Sequence, residues 1–430
     1  MPKTAIPGPE DIIRRELANG ITILVRENFN TQSVVITGSL AAGAIFETDE
    51  QRGLVGFATG SLMRGTTSRD FATIHEELET VGASLQISGG MHTISFGGKS
   101  LGEDLPLLLD ILGDTLRNPS FPQDQVERLR GEILTVLKIR EQNTRYMAGK
   151  RFREMAYPAN HPYHRGASGD VETISKITIE DLRNYHATQF GPQDMKIVIV
   201  GNISVENAIQ YVENTFGDWV NPTQLPIPDL PDAPYLTAIS HQNEVIPGKS
   251  QTDIVLGVPG PSRLAEDFQA ARVANNIFGV FGMYGRLGKT IREAQGLAYY
   301  SYSQLAGGIG PGAWRVVAGV DPSNVKQAVS SIRTEISRMI HEPISPDDLA
   351  DTQSNLTGSL PLQLEKNEGV AASIFNMEHY DLGLDYLQHY ADTINNLSVH
   401  QVQTAMAGYW SPDAFALALA GPELNNGVID

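Results

Sequence analysis

The chain has 430 residues and a formal net charge of -18 at pH 7, with 41% hydrophobic and 19% charged residues. This length predicts two to four domains, each large enough to bury a hydrophobic core. The acidity argues against nucleic-acid binding, because phosphate contacts require clustered Lys and Arg, so basic or neutral partners are expected. No apolar run reaches the roughly 18 residues that a membrane helix needs, so no membrane span is expected.

The absence of cysteine excludes thiol nucleophiles, disulfides and cysteine-ligated metals. The first residues, M-P-K-T-A-I-P-G-P-E, contain no apolar segment followed by a small-residue cleavage site, so no secretory signal is visible. A cytoplasmic protein is therefore expected, and a chain with a trimmed N-terminus would look the same.

The first half of the chain opens with a predicted hairpin, formed by strands at 21–27 and 33–43. An apolar segment rich in small residues at 53–63 predicts a buried helix. We expect Ser68 to cap the next helix and Gly82 to end it. The elements that follow are predicted in chain order as strands at 84–88 and 93–97, helices at 103–117, 123–142 and 148–155, a helix from 178, a strand at 195–200 and a helix at 202–216.

Residues 221–234 read N-P-T-Q-L-P-I-P-D-L-P-D-A-P and contain five prolines. Such a segment is typical of an extended linker. It separates a predicted N-terminal domain at 1–220 from a predicted C-terminal domain at 235–430.

The second half repeats the order of the first, which indicates an internal duplication. A predicted strand ending at Gly201 is echoed by one ending at Gly421, an offset of 421 - 201 = 220. The N-P turn before one long helix matches an E-P turn before another, at an offset of 342 - 118 = 224. In this register Gly60-Ser61-Leu62 falls on Gly285-Arg286-Leu287, so the stretch around Gly285 is expected to correspond to the helix at 53–63.

A glycine-rich stretch in the second half predicts a close approach of the backbone to another surface. Its glycines recur at three-residue intervals, as Gly279, Gly282, Gly285 and Gly288. A short helix at 286–293 closed by Gly296, and then a strand at 297–303, are expected after it. Arg292 and Tyr299 flank this corner, where a guanidinium and a phenol could hold a peptide's carbonyl or carboxylate; a surface Arg and a packing Tyr are the alternative.

Several segments, in their order along the chain, resemble the pitrilysin or insulinase superfamily of zinc peptidases. They are G-L-V-G-F-A-T-G-S-L-M-R-G-T at 53–66, N-P-S-F at 118–121, H-P-Y at 161–163, I-T-I-E-D-L at 177–182 and I-R-E-A-Q-G-L-A-Y at 291–299. The similarity runs from about residue 19 to residue 421. The resemblance implies an α+β fold of two homologous α/β domains that face each other like a clamshell, each with a mixed or antiparallel sheet covered by helices.

The signature of this family is an inverted zinc motif, H-x-x-E-H, on the helix that corresponds to 53–63. Two His four residues apart share one helix face and can bind one zinc ion, while the Glu activates the metal-bound water. This sequence has Gly56, Thr59 and Gly60 at those positions. The downstream Glu that completes the family's zinc site falls on Val136, or on Glu132 after a slip of one helical turn.

Other sites for a metal or a phosphate have little support in the sequence. No two His are four residues apart, and the close pair His161 and His164 lies in a Pro-rich loop where a structural role is expected. The G-x-x-x-x-G-K-[ST] phosphate loop is absent. We therefore expect no metal and no cofactor in this chain.

The resemblance gives Arg292 and Tyr299 a role. In zinc-bearing members of the family the second half contributes an Arg and a Tyr to the active site, and these two residues match them. They would stabilise the oxyanion of the tetrahedral intermediate and anchor the peptide backbone. Unfolded peptide is the expected ligand, bound partly through a sheet edge at Thr93, Ser95 and Gly97.

Some members of the family divide these parts between two subunits. The resemblance therefore implies the non-zinc subunit of a heterodimeric metallopeptidase, which is not proteolytic alone. Its partner would be a homologous subunit that carries H-x-x-E-H and the zinc. The alternatives are a catalytically inactive scaffold, like the core proteins of respiratory complexes, or a peptide-binding subunit that never cleaves; a homodimer is also possible.

Overall fold

The fold is known from a computed structural model, which describes residues 6–280 and 285–424. Within these ranges the strands are β1 (Ile13–Glu16), β2 (Thr22–Glu27), β3 (Ser33–Leu40), β4 (Ser84–Gly89), β5 (Ile94–Leu101), β6 (Lys196–Gly201), β7 (Ser240–Val245), β8 (Thr252–Pro259), β9 (Ala298–Leu305), β10 (Ala313–Val320) and β11 (Ala416–Gly421).

The α-helices of the same ranges occur in both halves of the chain. They are α1 (Leu54–Leu62), α2 (Phe71–Thr80), α3 (Leu105–Arg117), α4 (Gln123–Glu141), α5 (Thr144–Ala156), α6 (Pro162–Arg165), α7 (Val171–Lys176), α8 (Ile179–Gln189), α9 (Val205–Phe216), α10 (Phe268–Asn275), α11 (Val325–His341), α12 (Pro346–Gln363), α13 (Asn367–His379), α14 (Tyr386–Asn395) and α15 (Val399–Tyr409). Two π-helical segments, Asn276–Val280 and Gly288–Ala294, lie between α10 and β9. Across the described ranges, no helix combines the length and the apolar character needed to cross a bilayer.

Two mixed sheets share the same order over five strands, and the first has one additional strand, β1, beside β2. The first has the order β1-β2-β6-β3-β5-β4 and the second has the order β7-β11-β8-β10-β9. In each sheet the last strand of its half pairs parallel to one neighbour and antiparallel to the other, as β6 does with β2 and β3, and β11 with β7 and β8. The predicted α+β class and the predicted internal duplication are therefore confirmed.

One detail of the duplication differs from the sequence alignment. Gly82 and Gly296 each lie two residues before a strand, β4 and β9 respectively. Both have a positive φ, 62° and 63°, so they are equivalent positions at an offset of 296 - 82 = 214. The π segment Gly288–Ala294 thus takes the place of α2, while α10 follows β8 as α1 follows β3. The expected match of Gly60 with Gly285 is wrong, because α10 takes the place of α1 and Gly285 comes after α10. Gly282 lies outside the described residues.

The chain forms two compact units that are not simply its two halves. Unit 1 combines Met1–Leu137, Gly166–Asp229 and Leu360–His389, and unit 2 combines Lys138–Arg165, Leu230–Ser359 and Tyr390–Asp430. The change from Asp229 to Leu230 lies inside the proline-rich segment 221–234. Each unit also takes in a piece of the other half of the sequence, with α13 in unit 1 and α5 in unit 2.

Apolar packing explains this exchange of helices. In unit 1, Val370 and Ile374 of α13 pack on Val35 and Val198 of the sheet, all of them buried. In unit 2, Phe152 and its neighbours in α5 pack on the buried side chains of β8, β10 and β11. The other face of the unit 1 sheet packs on α1, α3 and α9. Both faces of that sheet are covered, which is why its central strands are apolar throughout.

Candidate functional site

Helix α1 carries the positions that the sequence aligns with the zinc motif, and a buried carboxylate fixes its start. Its N-cap is Gly53, which has a φ of 89° and no side chain to accept a hydrogen bond. Instead Glu47, only 4% exposed, accepts from Gly53 N at 3.1 Å and from Val55 N at 2.7 Å. A carboxylate at this end also interacts favourably with the helix dipole. The predicted buried helix at 53–63 is confirmed, with Glu47 as a capping group that lies outside the predicted helix.

The next helix is capped by a residue other than the predicted one. Asp70 caps α2, because its Oδ1 accepts from Thr73 N at 2.8 Å. Ser68 uses its hydroxyl to donate to Asp114 Oδ2. Ser and Asp are both good N-cap residues. The sequence does not show whether Ser68 or Asp70 has the extended backbone that an N-cap requires.

The three motif positions on α1 carry no metal-binding side chain. Gly56 and Gly60, one turn apart, are both exposed, so they do share one face of the helix. A Cβ added at Gly56 would meet no atom within 4 Å, and one added at Gly60 would lie 3.2 Å from Leu129 Cδ2. Thr59 is buried and its hydroxyl donates to Val55 O at 2.8 Å. This face is open at Gly56 and tight at Gly60, and neither position offers a ligand.

The two candidates for the downstream ligand do not supply a zinc site either. Val136 is 45% exposed on α4. Glu132 Oε2 lies 2.6 Å from Arg64 Nη2, and its Oε1 lies 3.3 Å from Arg128 Nε, so two guanidiniums already neutralise this carboxylate. Within residues 6–280 and 285–424, no group of three or more His, Asp or Glu side chains is arranged to hold a metal ion. The residues at this site therefore do not fit a catalytic zinc ion.

Replacing Gly56 by Ala is expected to stabilise the chain by about 0.5–1 kcal/mol, because a helix-interior Gly loses more backbone entropy on folding than Ala. The new methyl group would meet open space, so no steric term offsets this gain. Urea denaturation followed by circular dichroism measures the change. Gly60→Ala is the matched control, with a smaller gain expected because its methyl group meets Leu129. A Gly56→Ala variant less stable than the parent chain would contradict the open-face interpretation.

The two histidines of the Pro-rich loop, His161 and His164, form hydrogen bonds with backbone groups. His161 is completely buried and its Nδ1 accepts from Tyr163 N at 3.1 Å, while His164 Nδ1 bonds to Tyr157 O at 3.0 Å. Burial lowers the pKa of His161. Because both Nδ1 atoms are used by the loop itself, the geometry favours the structural role over metal binding.

Arg292 and Tyr299 both lie in unit 2, on either side of the turn at Gly296. Arg292 belongs to the π segment Gly288–Ala294, and its carbonyl accepts from Gly296 N at 3.2 Å. Its side chain is exposed, and Tyr299 is 70% exposed. Neither side chain forms a hydrogen bond or an ion pair with another described residue. Both polar groups are therefore open to a ligand.

A β-bulge sets the position of Tyr299. In the pairing of β9 with β10, Tyr300 lies opposite Gly319 and Ala298 lies opposite Val320, so Tyr299 has no partner of its own. Strand β9 is also the edge of its sheet. A bulge bends the strand and turns a side chain away from the regular alternation, and bulges are common beside active sites. The exposed position of Tyr299 follows from this geometry.

A buried carboxylate holds the strand beside this bulge. Tyr300 donates its hydroxyl to Asp253 Oδ1, and Asp253, 1% exposed, also accepts from Thr144 Oγ1 and from Gln251 Nε2. The guanidinium of Arg145 lies 4.0 Å above the Tyr300 ring, and its Nε donates to the Tyr300 hydroxyl at 3.0 Å. Sequence reasoning missed this cluster, although an Asp inside the apolar strand T-D-I-V-L-G-V is the signal that could have found it.

The prediction that Thr93, Ser95 and Gly97 lie on a free sheet edge is wrong. Ser95 and Gly97 belong to β5, which pairs with β3 on one side and with β4 on the other. Thr93 lies in the turn between β4 and β5, where its carbonyl accepts from Gly90 N. A strand with both sides paired offers no free backbone groups. In the described part of the chain the edge strand on this side is β4. The sequence could not show this, because the alternation of side chains identifies a strand but not its neighbours.

The sequence contains one G-x-S-x-G segment, the pattern of a serine nucleophile, at 98–102 (G-K-S-L-G). The structure does not support a nucleophile there. Ser100 lies within β5 rather than on a sharp turn after a strand. The side chain is 4% exposed and donates to Leu101 O at 2.9 Å. The hydroxyl is therefore neither accessible nor activated.

Profiles of one peptidase family match two consecutive parts of the chain, and the second match crosses the proline-rich segment 221–234. The profile described as "Insulinase (Peptidase family M16)" matches residues 22–163, and the one described as "Peptidase M16 inactive domain" matches residues 176–356. An uncharacterized zinc protease of Streptomyces coelicolor is 25% identical over 369 residues, which are 84% of this chain and 80% of that protein. One of Bacillus subtilis is 23% identical over 417 residues, 96% of this chain and 99% of that protein.

Solved structures share the whole fold. A peptidase M16 inactive domain from Pseudomonas fluorescens superposes with a TM-score of 0.89 at 22% identity, covering 98% of this chain and 100% of that one. A protease from Helicobacter pylori gives a TM-score of 0.88 at 17% identity, covering 96% and 99% of the two chains. At these identities the likeness concerns the fold alone.

Proposed function

Because the chain belongs to the insulinase (M16) family of peptidases, we propose that it is the non-zinc subunit of a heterodimeric metallopeptidase, with a homologous partner that carries H-x-x-E-H. One observation carries the proposal. The α1 face presents Gly56 and Gly60 where the motif has its two His, while Arg292 and Tyr299 are exposed and bound to no other described residue. This is the pattern expected of a chain that has lost the zinc motif and kept the residues that assist it.

The proposed chemistry of this chain is hydrogen bonding in the transition state. The partner's zinc would supply a polarised water for attack on the peptide bond. The Tyr299 phenol would donate to the oxyanion that develops on the peptide carbonyl, and the Arg292 guanidinium would hold a neighbouring backbone carbonyl. Exposed side chains with free donors suit this role, because they do not have to break a hydrogen bond within the chain first.

Peptide binding is proposed at the free edge of β4. Its alternate residues Ser84, Gln86 and Ser88 are exposed, and its outer backbone groups have no strand partner in the part of the chain that is described. The strand also lies against α1, since a Cβ on Gly89 would come within 2.6 Å of Val55 Cγ2. An extended peptide added to β4 would therefore run beside the helix that carries the motif positions.

A catalytically inactive scaffold or peptide-binding subunit is the second candidate. It is favoured by the description of the profile that matches 176–356, whereas the absence of a three-ligand metal cluster in the described residues fits both candidates. It would use β4 in the same way. The two candidates differ in whether Arg292 and Tyr299 take part in chemistry.

The test is an activity assay on defined mixtures. The chain is purified alone and together with a homologue from the same genome that contains H-x-x-E-H, and each sample is given an unstructured peptide with a fluorophore and a quencher. We expect cleavage only in the mixture, and loss of cleavage on zinc chelation. A partner with both motif His replaced by Ala is the control, and size-exclusion chromatography separates heterodimers from homodimers.

Two results would reject the proposal. Chelator-sensitive cleavage by the isolated chain would show that it holds its own metal. A stable complex that never cleaves, whatever the peptide, would favour the scaffold.

A further inference from the structure

Two arginines in unit 2 lack the acidic partners that surround most others. Arg153 lies in the last turn of α5 and Arg315 lies on β10, and each is only partly exposed. Neither forms an ion pair with a carboxylate of the described residues. The neighbouring Glu154 is bound to Arg151, which also pairs with Glu244. In a chain with 50 Asp and Glu residues, two partly buried and unpaired guanidiniums are unexpected.

The two guanidiniums lie close together around one glycine. Arg153 Nη1 donates to Gly149 O at 3.2 Å. Arg315 Nη1 lies 3.7 Å from the position that a Cβ on Gly149 would occupy. Burial lowers the pKa of both arginines, and the positive charge of Arg315 further lowers that of Arg153. Two cations that approach in this way without a counter-charge are unfavourable unless an anion joins them.

Several N–H groups of this pair remain free to bind an anion. Arg315 uses Nε and Nη2 on Gln304 Oε1, at 3.2 and 3.0 Å, which leaves its Nη1 without an acceptor. The buried Nε of Arg153 also has no partner. A guanidinium presents its donors in a rigid plane that matches the two oxygens of a carboxylate. Gln304 therefore holds the guanidinium of Arg315 in place, while the Nη1 group of Arg315 keeps its donors free.

We propose that Arg153 and Arg315 form a binding site for a carboxylate group of a peptide. A singly charged carboxylate fits better than a phosphate dianion, because Arg153 lies at the C-terminal end of α5, where the helix dipole is negative. The carboxylate can come from the C-terminus of the peptide or from an Asp or Glu side chain. That the ligand is a peptide rests on the function proposed above, whereas the site itself requires no partner and no cleavage.

Isothermal titration of the isolated full chain with three synthetic peptides tests the site. One unstructured peptide has a free C-terminus and no acidic side chain, the second is its C-terminal amide, and the third is the amide with one internal Asp. We expect the first or the third to bind about tenfold to hundredfold more tightly than the plain amide, the range for charge-assisted hydrogen bonds. Which of the two binds better identifies the source of the carboxylate.

Charge-removing variants locate the binding. Arg315→Gln and Arg153→Gln are each expected to abolish the preference for the carboxylate peptides, while Arg315→Lys, which keeps the charge but loses the planar fork, retains part of it. Arg333→Gln is the matched control, because Arg333 is also in unit 2 but is paired with Asp413. Circular dichroism melts confirm folding, and if Arg153→Gln does not fold, the partly exposed Arg315 decides the test.

Three outcomes would overturn the site. They are equal affinity for acid and amide peptides, an effect of Arg333→Gln as large as that of Arg315→Gln, and tighter binding of inorganic phosphate than of either carboxylate peptide. None of these depends on whether a zinc-bearing partner exists, so failure here and failure of the proposed peptidase role remain distinguishable.

Discussion

Replacing Arg292 by Ala, or Tyr299 by Phe, is expected to lower kcat of the complex with a zinc-bearing partner by about 100- to 1000-fold. For Tyr299 this is the effect of removing one hydrogen-bond donor from a developing oxyanion. For Arg292 it is the effect of losing a contact that positions the peptide backbone at the reacting bond. Both side chains are exposed and unengaged in unit 2, so neither change should destabilise the fold. The loss should therefore appear in catalysis alone.

Kinetics of the mixed complex separate this role from simple peptide binding. If the two residues act in the transition state, kcat and kcat/KM fall together, whereas a contact made equally in the ground state raises KM and leaves kcat unchanged. Tyr302→Phe and Lys289→Ala are matched controls, since each removes a similar group from the same strand or the same π segment. Variants of Arg292 and Tyr299 that behave like these controls would remove both residues from the active site.

The double variant sharpens the interpretation. Residues that act as one unit show non-additive losses, so Arg292→Ala combined with Tyr299→Phe should cost less than the product of the two single losses. Independent contacts to different parts of the peptide would instead multiply. The scaffold alternative predicts no effect in either case, because there is no turnover to lose.

The sequence predicts the architecture well because it contains the same fold twice. The repeated strand ends at Gly201 and Gly421 correspond to β6 and β11, which occupy the same place in the five-strand order that the two sheets share. Periodicity also predicts the helix at 53–63. These features depend on local patterns and on chain order, both of which are visible in one sequence.

Long-range choices were not predictable in the same way. The apolar face of α13 is visible in the sequence, but nothing in it indicates that this face covers the sheet of unit 1. The sequence predicts the sheet edge at β5, whereas the edge strand is β4. The order of strands in a sheet depends on topology, which a local sequence pattern does not show. The bulge at Tyr299 depends on one shift of register against β10. The exposure of Tyr299 could therefore not be predicted from the sequence.

Asp253→Ala is expected to destabilise unit 2 by about 2–4 kcal/mol, the largest effect on stability that we predict. The substitution leaves the hydroxyls of Thr144 and Tyr300 and the amide of Gln251 without their buried acceptor. Asp413→Ala is the control, because this Asp is 80% exposed in its pair with Arg333 and such pairs contribute about 0–1 kcal/mol. Urea denaturation measures both changes.

The consequence for Tyr299 makes this variant informative about function as well. Asp253 anchors Tyr300, the residue directly after the bulge, and Gly319 makes room for the Tyr300 ring, since a Cβ there would lie 2.6 Å from it. With the anchor removed, we expect faster amide hydrogen exchange in β9 and a fall in kcat of the mixed complex, although Tyr299 itself is intact. Tyr300→Phe should reproduce both effects more weakly, because it keeps the ring and loses only the hydroxyl. Normal exchange in β9 together with normal kcat in Asp253→Ala would show that the bulge holds Tyr299 without this network.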